Sequence, residues 1–258
     1  MSRFSSLEFN DDFESDFESQ QVTKDELFYS NEARAAFEET QFEKSLRYYA
    51  KVLEFNPNNV AAWAGQVKAL IELGEFPEAK LWAEKALEKF PDDSELLAAK
   101  AVALGRMGDL KAALAFSDAS IEERGGTPYI WLARGDVLLA RKEKRADYCF
   151  EKAFMLASGD WVVRWCASRI RSFYEHFSIA LKFAQDALNL NPGSSAAWLQ
   201  AGHCQLALGL SGLAENSFTQ AKQLNPDCRE ARLALDSLSH NGWFSRMRSS
   251  LRQFFHRS

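Results

Sequence analysis

The sequence contains few of the residues that mark a disulfide-rich, metal-binding or membrane-spanning protein. Only 4 of its 258 residues are cysteines, and they are scattered along the second half of the chain at positions 149, 166, 204 and 228. These spacings indicate neither a disulfide framework nor a zinc site, so we interpret the cysteines as buried, reduced thiols. No run of 18 apolar residues occurs, and the first residues lack the apolar segment of a secretory signal. We therefore expect a cytoplasmic protein without a bound metal.

Motifs of catalysis and of nucleotide binding are missing as well. The sequence has no glycine-rich phosphate loop, no Gly-x-Ser-x-Gly turn and no His-Glu-x-x-His segment. His203 and Cys204 are adjacent, but neighbouring side chains on a helix point about 100° apart and do not face each other. The paired acids Asp92 and Asp93 are expected to be solvated or to cap a helix. The sequence thus predicts a binding protein with no catalytic residue and no cofactor.

Proline is scarce, and its positions are regular. The chain has 6 prolines, and the pair Pro57 and Pro91 is separated by the same interval of 34 as the pair Pro192 and Pro226. The separation of Pro91 from Pro192 is three such intervals less one position. An interval of this length is typical of a repeated helical unit. Stacks of such units usually bind a partner rather than transform a substrate.

Two series of small residues follow the same interval. The first steps by 34, 33, 34 and again 34, and its members are Ala79, Ala113, Ala146, Ala180 and Ala214. The second series, from Val52 to Ala221, is one residue short in the same unit. Because Trp63 and Trp131 are two full intervals apart, the missing residue lies between Trp131 and Ala146. We place it in the turn at residues 141–144.

Six units of this length cover most of the chain. Their predicted bounds are 26–59, 60–93, 94–127, 128–160, 161–194 and 195–228. In the last unit, apolar residues recur at intervals of three and four in two segments, which predicts two helices. Gly209 separates these segments, and Pro226 closes the unit. One unit cannot bury its apolar surface alone, so we expect the units to fold as one stack.

The second and sixth units resemble the tetratricopeptide repeat in residue type and in spacing. The matching residues of the second unit are Trp63, Leu70, Gly74, Phe76, Ala79, Ala86 and Pro91. Those of the sixth are Trp198, Gly202, Gly209, Ala214, Phe218, Ala221 and Pro226. Other units depart from the pattern, since Gly125 replaces the proline and Ser168 the glycine. The resemblance implies an all-α fold, a right-handed α-solenoid of about six helix-turn-helix repeats, with residues 229–241 as a capping helix.

The resemblance also implies where a partner binds. In tetratricopeptide repeat proteins the first helix of each unit lines a concave groove. The groove residues implied for this chain are Arg34, Phe37, Lys68, Ile71, Arg106, Leu132, Trp165, Arg169, Phe173 and His203. Apolar side chains with cations between them suit an amphipathic helix or an acidic, hydrophobic peptide of a partner protein. For Trp165, Phe173 and Leu206 the alternative is that they only pack between units.

Some members of the family hold the end of a chaperone tail through a clamp of lysines and asparagines. The asparagines of this clamp are absent from the implied groove positions, which disfavours a role as a chaperone co-factor. The body of the chain is weakly acidic, so general nucleic-acid binding is also disfavoured. The function predicted for the body is therefore a scaffold or adaptor for protein interactions.

The N-terminal arm, residues 1–25, differs from the body in composition. It has 2 basic and 7 acidic residues, with Phe9, Phe13 and Phe17 among them. Because these rings are four residues apart, they form one stripe on a helix. Such a segment is commonly disordered alone and folds on a partner, which here is the same chain, a second copy or another protein. The alternative is a solubilising tail whose rings have no binding role.

Residues 242–258 form a basic tail with the pattern of an amphipathic helix. At about 100° per residue, its apolar side chains fall within one arc and its arginines outside it. The apolar residues are Trp243, Phe244, Met247, Leu251, Phe254 and Phe255, and the basic ones are Arg246, Arg248, Arg252 and Arg257. We predict that the apolar face contacts protein. The alternative is peripheral contact with an anionic membrane, which would make the chain a membrane-associated scaffold.

Overall fold

The computed structural model describes residues 24–124 and 126–239, without the side chain of Arg124, and every regular element in this range is an α-helix. The first compact unit contains α1 to α6, which are Glu26–Glu38, Phe42–Phe55, Val60–Glu72, Phe76–Lys89, Ser94–Met107 and Leu110–Arg124. The second contains α7 to α12, which are Pro128–Ala140, Ala146–Leu156, Trp161–Phe173, Phe177–Leu190, Ser195–Ala207 and Ser211–Leu224. It ends with α13, residues 229–239.

The helices pack in the order in which they follow one another. In the first unit α3 packs on α4 and α4 on α5, and the first helices α3 and α5 also touch. In the second unit α7, α9 and α11 touch in the same way, and each packs against the second helix of its own pair. This arrangement confirms the predicted all-α repeat solenoid.

The six helix pairs share one kind of turn. In each, a backbone N–H bonds to the carbonyl five residues earlier, as from Gln41 to Ala36 and from Leu210 to Gln205. The residue before each donor has a positive φ. These residues are glycine at 74, 108 and 209, and they are Thr40, Lys142 and Glu175 in the other three turns. Glycine adopts this conformation without a steric penalty, so the three other residues carry backbone strain.

Side chains cap the first helix of five pairs, and in the first pair Asp25 accepts from the N–H of Phe28. Asn59, Asp93, Asp160 and Ser194 each accept a hydrogen bond from a backbone N–H in the first turn of the helix that follows. The first N–H groups of a helix have no partner within it, so these caps stabilise the points where α3, α5, α9 and α11 begin. Thr127 has the same place before α7, but its side chain makes no such bond. The predicted capping role of Asp93 is confirmed.

Both series of small residues lie in the core. In the first series Ala146 is 1% exposed and the other four alanines are fully buried. The second series comprises Val52, Ala86, Ser120, Ala153, Ala187 and Ala221, all at most 1% exposed. Small side chains at these places allow the helices to pack at the density of a protein interior. The interval found in the sequence therefore marks recurring positions of close helix contact.

Close contact within the sixth pair depends on Gly202. A Cβ atom there would lie 2.6 Å from the ring of Phe218 on α12, which is closer than such atoms approach. The fourth pair has the same kind of close contact, because a Cβ atom on Gly135 would lie 2.8 Å from the ring of Phe150. In the fifth pair the hydroxyl of Ser168 donates to the carbonyl of Ala180 at 2.7 Å. The serine that departs from the repeat pattern therefore still joins α9 to α10.

The missing residue of the fourth unit lies at the start of α8. Asp109 and Glu143 occupy equivalent places in the third and fourth turns, and they are 34 positions apart. Ala113 and Ala146 are also equivalent, but they are only 33 positions apart. The deletion therefore lies between Glu143 and Ala146. α8 has 11 residues, whereas α4 and α10 have 14, so the deletion accounts for one residue of this difference. α8 also packs less extensively on α9 than α10 packs on α11.

The last described helix packs against the core of the second unit. Ala231 of α13 is fully buried in a cluster with Leu199 of α11 and Phe218 of α12. Three further side chains of α13 pack on the same cluster, namely Ala234, Leu235 and Leu238. Through this contact α13 shields apolar surface that the sixth pair would otherwise expose.

The predictions for the two ends of the chain lie outside the described residues. The stripe of Phe9, Phe13 and Phe17 precedes residue 24, and the tail from Trp243 to Phe255 follows residue 239. In the range that is described, no helix has both the length and the apolar content needed to cross a membrane.

Candidate functional site

The ten predicted groove residues all lie on the first helices of the pairs. In the first unit Arg34 of α1 is exposed. Phe37 is half-buried, and its ring meets that of Phe42 edge-on at 5.2 Å between centroids. Ile71 of α3 is only 4% exposed, so in the chain by itself it contributes to the core rather than to a contact surface.

Two predicted cations of the first unit contact other side chains of the same chain. The Nζ atom of Lys68 lies 2.6 Å from Oε2 of Glu95, so the pair joins α3 to α5. The guanidinium of Arg106 lies 5.7 Å from the centre of the Phe76 ring. A partner that approaches Lys68 therefore meets a neutralised pair rather than a lone positive charge.

The predicted residues of α7 and α9 differ sharply in exposure. Leu132 is 3% exposed and Trp165 is fully buried, so both pack inside the second unit. Phe173, two helical turns after Trp165, is 45% exposed, and Leu206 of α11 is 36% exposed. The alternative to partner binding for Trp165, Phe173 and Leu206 was packing between units. Trp165 is a core residue, whereas Phe173 and Leu206 present apolar surface to solvent.

Three polar groups meet where α9, α11 and α13 come together. The guanidinium of Arg169 lies 5.4 Å from the centre of the Trp165 ring. His203 places Nε2 3.9 Å from Oε2 of Glu230 on α13. The imidazole of His203 holds the pKa of Glu230 below its usual range; burial opposes this shift, and Arg169 adds to it. A carboxylate from α13 thus interacts with two of the predicted partner-binding residues.

Tyr174 and Glu230 were not among the predicted site residues. The Tyr174 hydroxyl donates a 2.7 Å hydrogen bond to Oδ1 of Asp136, which is 1% exposed, and this bond joins the end of α9 to α7. Asp136 is an acid within the largely apolar sequence of α7. For Tyr174 and Glu230 the sequence contains no signal, because the partner of each lies on a different helix, far away along the chain.

The cysteines are only partly as predicted. Cys149 and Cys204 are buried, and burial raises the pKa of both thiols. The prediction of buried thiols is wrong for Cys166 and Cys228, which are half-buried; Cys228 lies in the turn before α13. Among the residues that the structure describes, no group of three or more His, Cys, Asp or Glu side chains is placed to hold a metal ion.

Comparison with known families agrees with this architecture. Sequence models of the tetratricopeptide repeat match residues 36–103, from α1 to α5, and residues 195–228, which contain α11 and α12. The chain contains tetratricopeptide repeats at these positions. Repeats of this family form scaffolds for protein interactions, and the described helices have that architecture. No curated protein sequence matches the chain.

Solved structures resemble this chain at low sequence identity. A tetratricopeptide repeat protein from Parabacteroides merdae ATCC 43184 superposes with a TM-score of 0.53 and 14% identity, over 85% of this chain and 86% of its own. A chain of human IFIT1, solved as a dimer with m7Gppp-AAAA, superposes with a TM-score of 0.51 and 19% identity over 83% of this chain. A chain of the APC/C hetero-tetramer Cut9–Hcn1 superposes with a TM-score of 0.50 and 14% identity over 84% of this chain. This chain spans 55% of the IFIT1 chain and 44% of the Cut9–Hcn1 chain. At these identities the likeness shows the fold alone.

Proposed function

We propose that the chain is an adaptor that binds a peptide or an amphipathic helix of a partner protein on α9 and α11. The observation that supports this most is exposed apolar surface next to a guanidinium and an imidazole. Phe173 and Leu206 are 45% and 36% exposed, and Arg169 and His203 precede them by four and three residues. Residues at these spacings share one face of a helix. We call Arg169, Phe173, His203 and Leu206 the α9–α11 face.

The α9–α11 face suits a partner with apolar anchors and acidic side chains. Apolar area that leaves water on contact contributes about 25 cal/mol per Å², and aromatic and arginine residues dominate binding energy at protein interfaces. The Arg169 side chain attracts acids and orients them, although Glu230 offsets part of its charge. The acidic arm, residues 1–25, has the same composition as such a partner. The test must therefore distinguish binding of a partner protein from self-association through that arm.

The proposal is tested by affinity capture with the tagged full chain from its source cells, followed by titration of the purified partner. The double variant Arg169→Gln and Phe173→Ser removes one cation and one anchor from the α9–α11 face. Its matched control, Lys182→Gln and Ile179→Ser, makes equivalent changes on the exposed part of α10. We expect the first variant to weaken binding by about tenfold or more, because truncation of a central anchor costs about 2 kcal/mol.

Equal binding by wild type and the Arg169 and Phe173 variant would reject the α9–α11 face as the site. Equal loss in the Lys182 and Ile179 control would show a general effect of charge or surface apolarity rather than recognition by this face. Sedimentation equilibrium of the wild type and of a variant that lacks residues 1–23 distinguishes self-association. If only the wild type dimerises, the arm of a second copy is the partner.

The alternative of a peripheral membrane scaffold depends on the tail from Trp243 to Phe255, which lies outside the described residues. We propose it only as the second function, on the composition of that segment. Co-sedimentation with anionic vesicles compares the full chain with a variant that ends at residue 242. Pelleting of the full chain alone would support membrane contact, and equal pelleting of both would exclude this role for the tail.

A further inference from the structure

A cavity of about 500 Å³ lies in the second unit, between the α7–α8 turn, the start of α8 and the end of α9. Cavities of this size hold small ligands in many proteins. It lies where the fourth unit lacks one residue. There Lys144 and Arg145 precede α8, whereas α4 and α10 begin with Phe76 and Phe177. The deletion has thus removed an apolar start of the helix and left basic residues in its place.

Arg171 forms the inner wall of this cavity. The carbonyl of Arg171 accepts the backbone hydrogen bond of the α9–α10 turn, as the carbonyl of Leu138 does in the α7–α8 turn. Arg171 therefore occupies a position that is apolar in the preceding pair. The side chain is only 4% exposed. Its guanidinium donates to Asp147 through Nη2 and to Nδ1 of His176 through Nη1, the latter at 3.2 Å. Within the described range its buried Nε atom has no hydrogen-bond partner.

Asp147 and the ring of Phe150, whose centre lies 4.7 Å from the guanidinium, compensate the Arg171 charge only in part. Burial lowers the pKa of Arg171, and Asp147 opposes this shift. The Asp147 side chain is 65% exposed, so water screens its attraction for the guanidinium. A buried cation normally has all its donors paired, because an unpaired buried donor loses its hydration without return. The position of Arg171 therefore favours a further anion in the adjoining cavity.

Basic side chains also dominate the mouth of the cavity. The turn at residues 141–145 reads Arg-Lys-Glu-Lys-Arg. Glu143 is already held by Arg141 at 2.6 Å and by Arg145 at 2.7 Å, and these hydrogen bonds lower the pKa of Glu143. Neither Lys142 nor Lys144 pairs with a carboxylate in the part of the chain that is described. Three cations line this cavity, namely Lys142, Lys144 and Arg171, together with the two carboxylates Glu143 and Asp147.

The backbone of the turn places Lys142 in the left-handed region, as it does Thr40 and Glu175 in the first and fifth turns. Lys142 has a φ of 59°, where the turns of the second, third and sixth pairs have glycine. A side chain in this conformation costs about 1 kcal/mol, which glycine would avoid. Lys142 thus lies on the cavity wall in a backbone conformation that costs free energy.

We propose that this cavity binds a phosphate group, which Arg171, Lys142 and Lys144 hold at the N-terminus of α8. A phosphate group offers three acceptor oxygens to these three cations, whereas a carboxylate offers two. The positive end of the α8 dipole adds to the attraction. The phosphate belongs either to a small phosphorylated metabolite or to a phosphorylated side chain of a partner protein. This site is separate from the α9–α11 face.

Calorimetric titration of the full chain with inorganic phosphate tests the site, with chloride at equal ionic strength as the reference. We expect saturable binding with a Kd of about 1 mM or lower. The double variant Lys142→Gly and Lys144→Gln should weaken it by about tenfold or more, because charge-assisted contacts to phosphate are lost. Glycine at 142 also relieves the strained φ, so this loss is not expected to come with unfolding.

Thr40→Gly is the matched control, since it relieves the positive φ of another turn without change of charge. It should bind phosphate like the wild type. Arg171→Lys keeps the buried charge but lacks the planar donors, and it should also bind more weakly. If Arg171→Lys does not fold, the lysine pair alone decides. The proposal is overturned if phosphate acts no differently from chloride, or if the lysine variant binds as tightly as Thr40→Gly.

Two further titrations identify the source of the phosphate. One uses a sugar phosphate, and the other uses a phosphoserine peptide beside the same peptide without phosphate. Tighter binding of the sugar phosphate than of inorganic phosphate supports a metabolite. Tighter binding of the phosphoserine peptide, with no binding of its unmodified form, supports a phosphorylated partner. Equal binding of both forms of the peptide would contradict phosphate recognition.

Discussion

Gly202 packs directly against the ring of Phe218, so that a Cβ atom on Gly202 would lie 2.6 Å from the ring. Phe218 is fully buried in the cluster that also receives Ala231 of α13. The ring therefore cannot move away without loss of contacts on its other side. This relationship links the packing of α11 on α12 to the attachment of α13.

Gly202→Ala should lower the free energy of unfolding by about 1–3 kcal/mol, because an added methyl group overpacks a filled contact. Gly212→Ala is the matched control, since a Cβ there meets nothing within 4 Å and the residue lies in the first turn of α12. That change should stabilise the protein by about 0.5–1 kcal/mol through helix propensity. Urea unfolding measures both, and the same sign for the two would contradict this account.

The N-terminal residues before α9 and α7 should respond differently to alanine. Asp160 caps α9 by accepting from the N–H of Val162, so Asp160→Ala should destabilise by about 1 kcal/mol. Thr127 makes no cap bond, and its buried hydroxyl has no hydrogen-bond partner among the described residues. Thr127→Ala should therefore be neutral or stabilising. Thermal unfolding of the two variants checks this, and equal destabilisation would show that the cap bond of Asp160 is unimportant.

The attachment of α13 should weaken in acid. The pKa of Glu230 is held below its ordinary value of 4.5 by His203, with a further contribution from Arg169. A lowered folded pKa means that the ionised carboxylate stabilises the fold above the unfolded pKa, and that this contribution is lost as pH falls through the folded pKa. Glu230→Gln should therefore flatten the fall in melting temperature below about pH 5. His203→Ala should have the same effect, and a Glu230→Gln profile parallel to wild type would contradict it.

The four cysteines should fall into two classes of reactivity. Burial raises the pKa of Cys149 and Cys204 and restricts access to both, so little thiolate forms and reagents react slowly. Cys166 and Cys228 are half-buried and should react first. Alkylation of the native protein followed by peptide mass spectrometry gives the order. The denatured protein is the control, in which all four should react at similar rates, and early labelling of Cys149 would show that α8 opens readily.

The repeat register could be predicted because equivalent positions meet the same surroundings. Ala79 and Ala214 occupy the same buried contact in different pairs, so both are small, and the interval between such residues is visible in the sequence. The role of Ser168 could not be predicted in this way. Its hydroxyl bonds to a carbonyl on the next helix, and a pattern of side-chain sizes does not include that bond.

The candidate site was less predictable than the fold. Trp165 and Phe173 lie on the same helix and were predicted for the same groove, yet one is fully buried and the other is 45% exposed. Lys68 was predicted as a cation for a partner, but Glu95 on the neighbouring α5 pairs with it. In both cases the outcome depends on which side chains of adjacent helices come close.

The sequence by itself determined the helical repeat, its length and the interval that contains the missing residue. It did so because helical period and close packing constrain residue type at every turn. Only the tertiary structure decided which predicted groove residues are accessible, and that Arg171 lines a cavity next to the shortened α8. The physical reason is that a sequence pattern gives the direction of a side chain from its own helix. Its burial and its partners depend on helices that are distant in sequence.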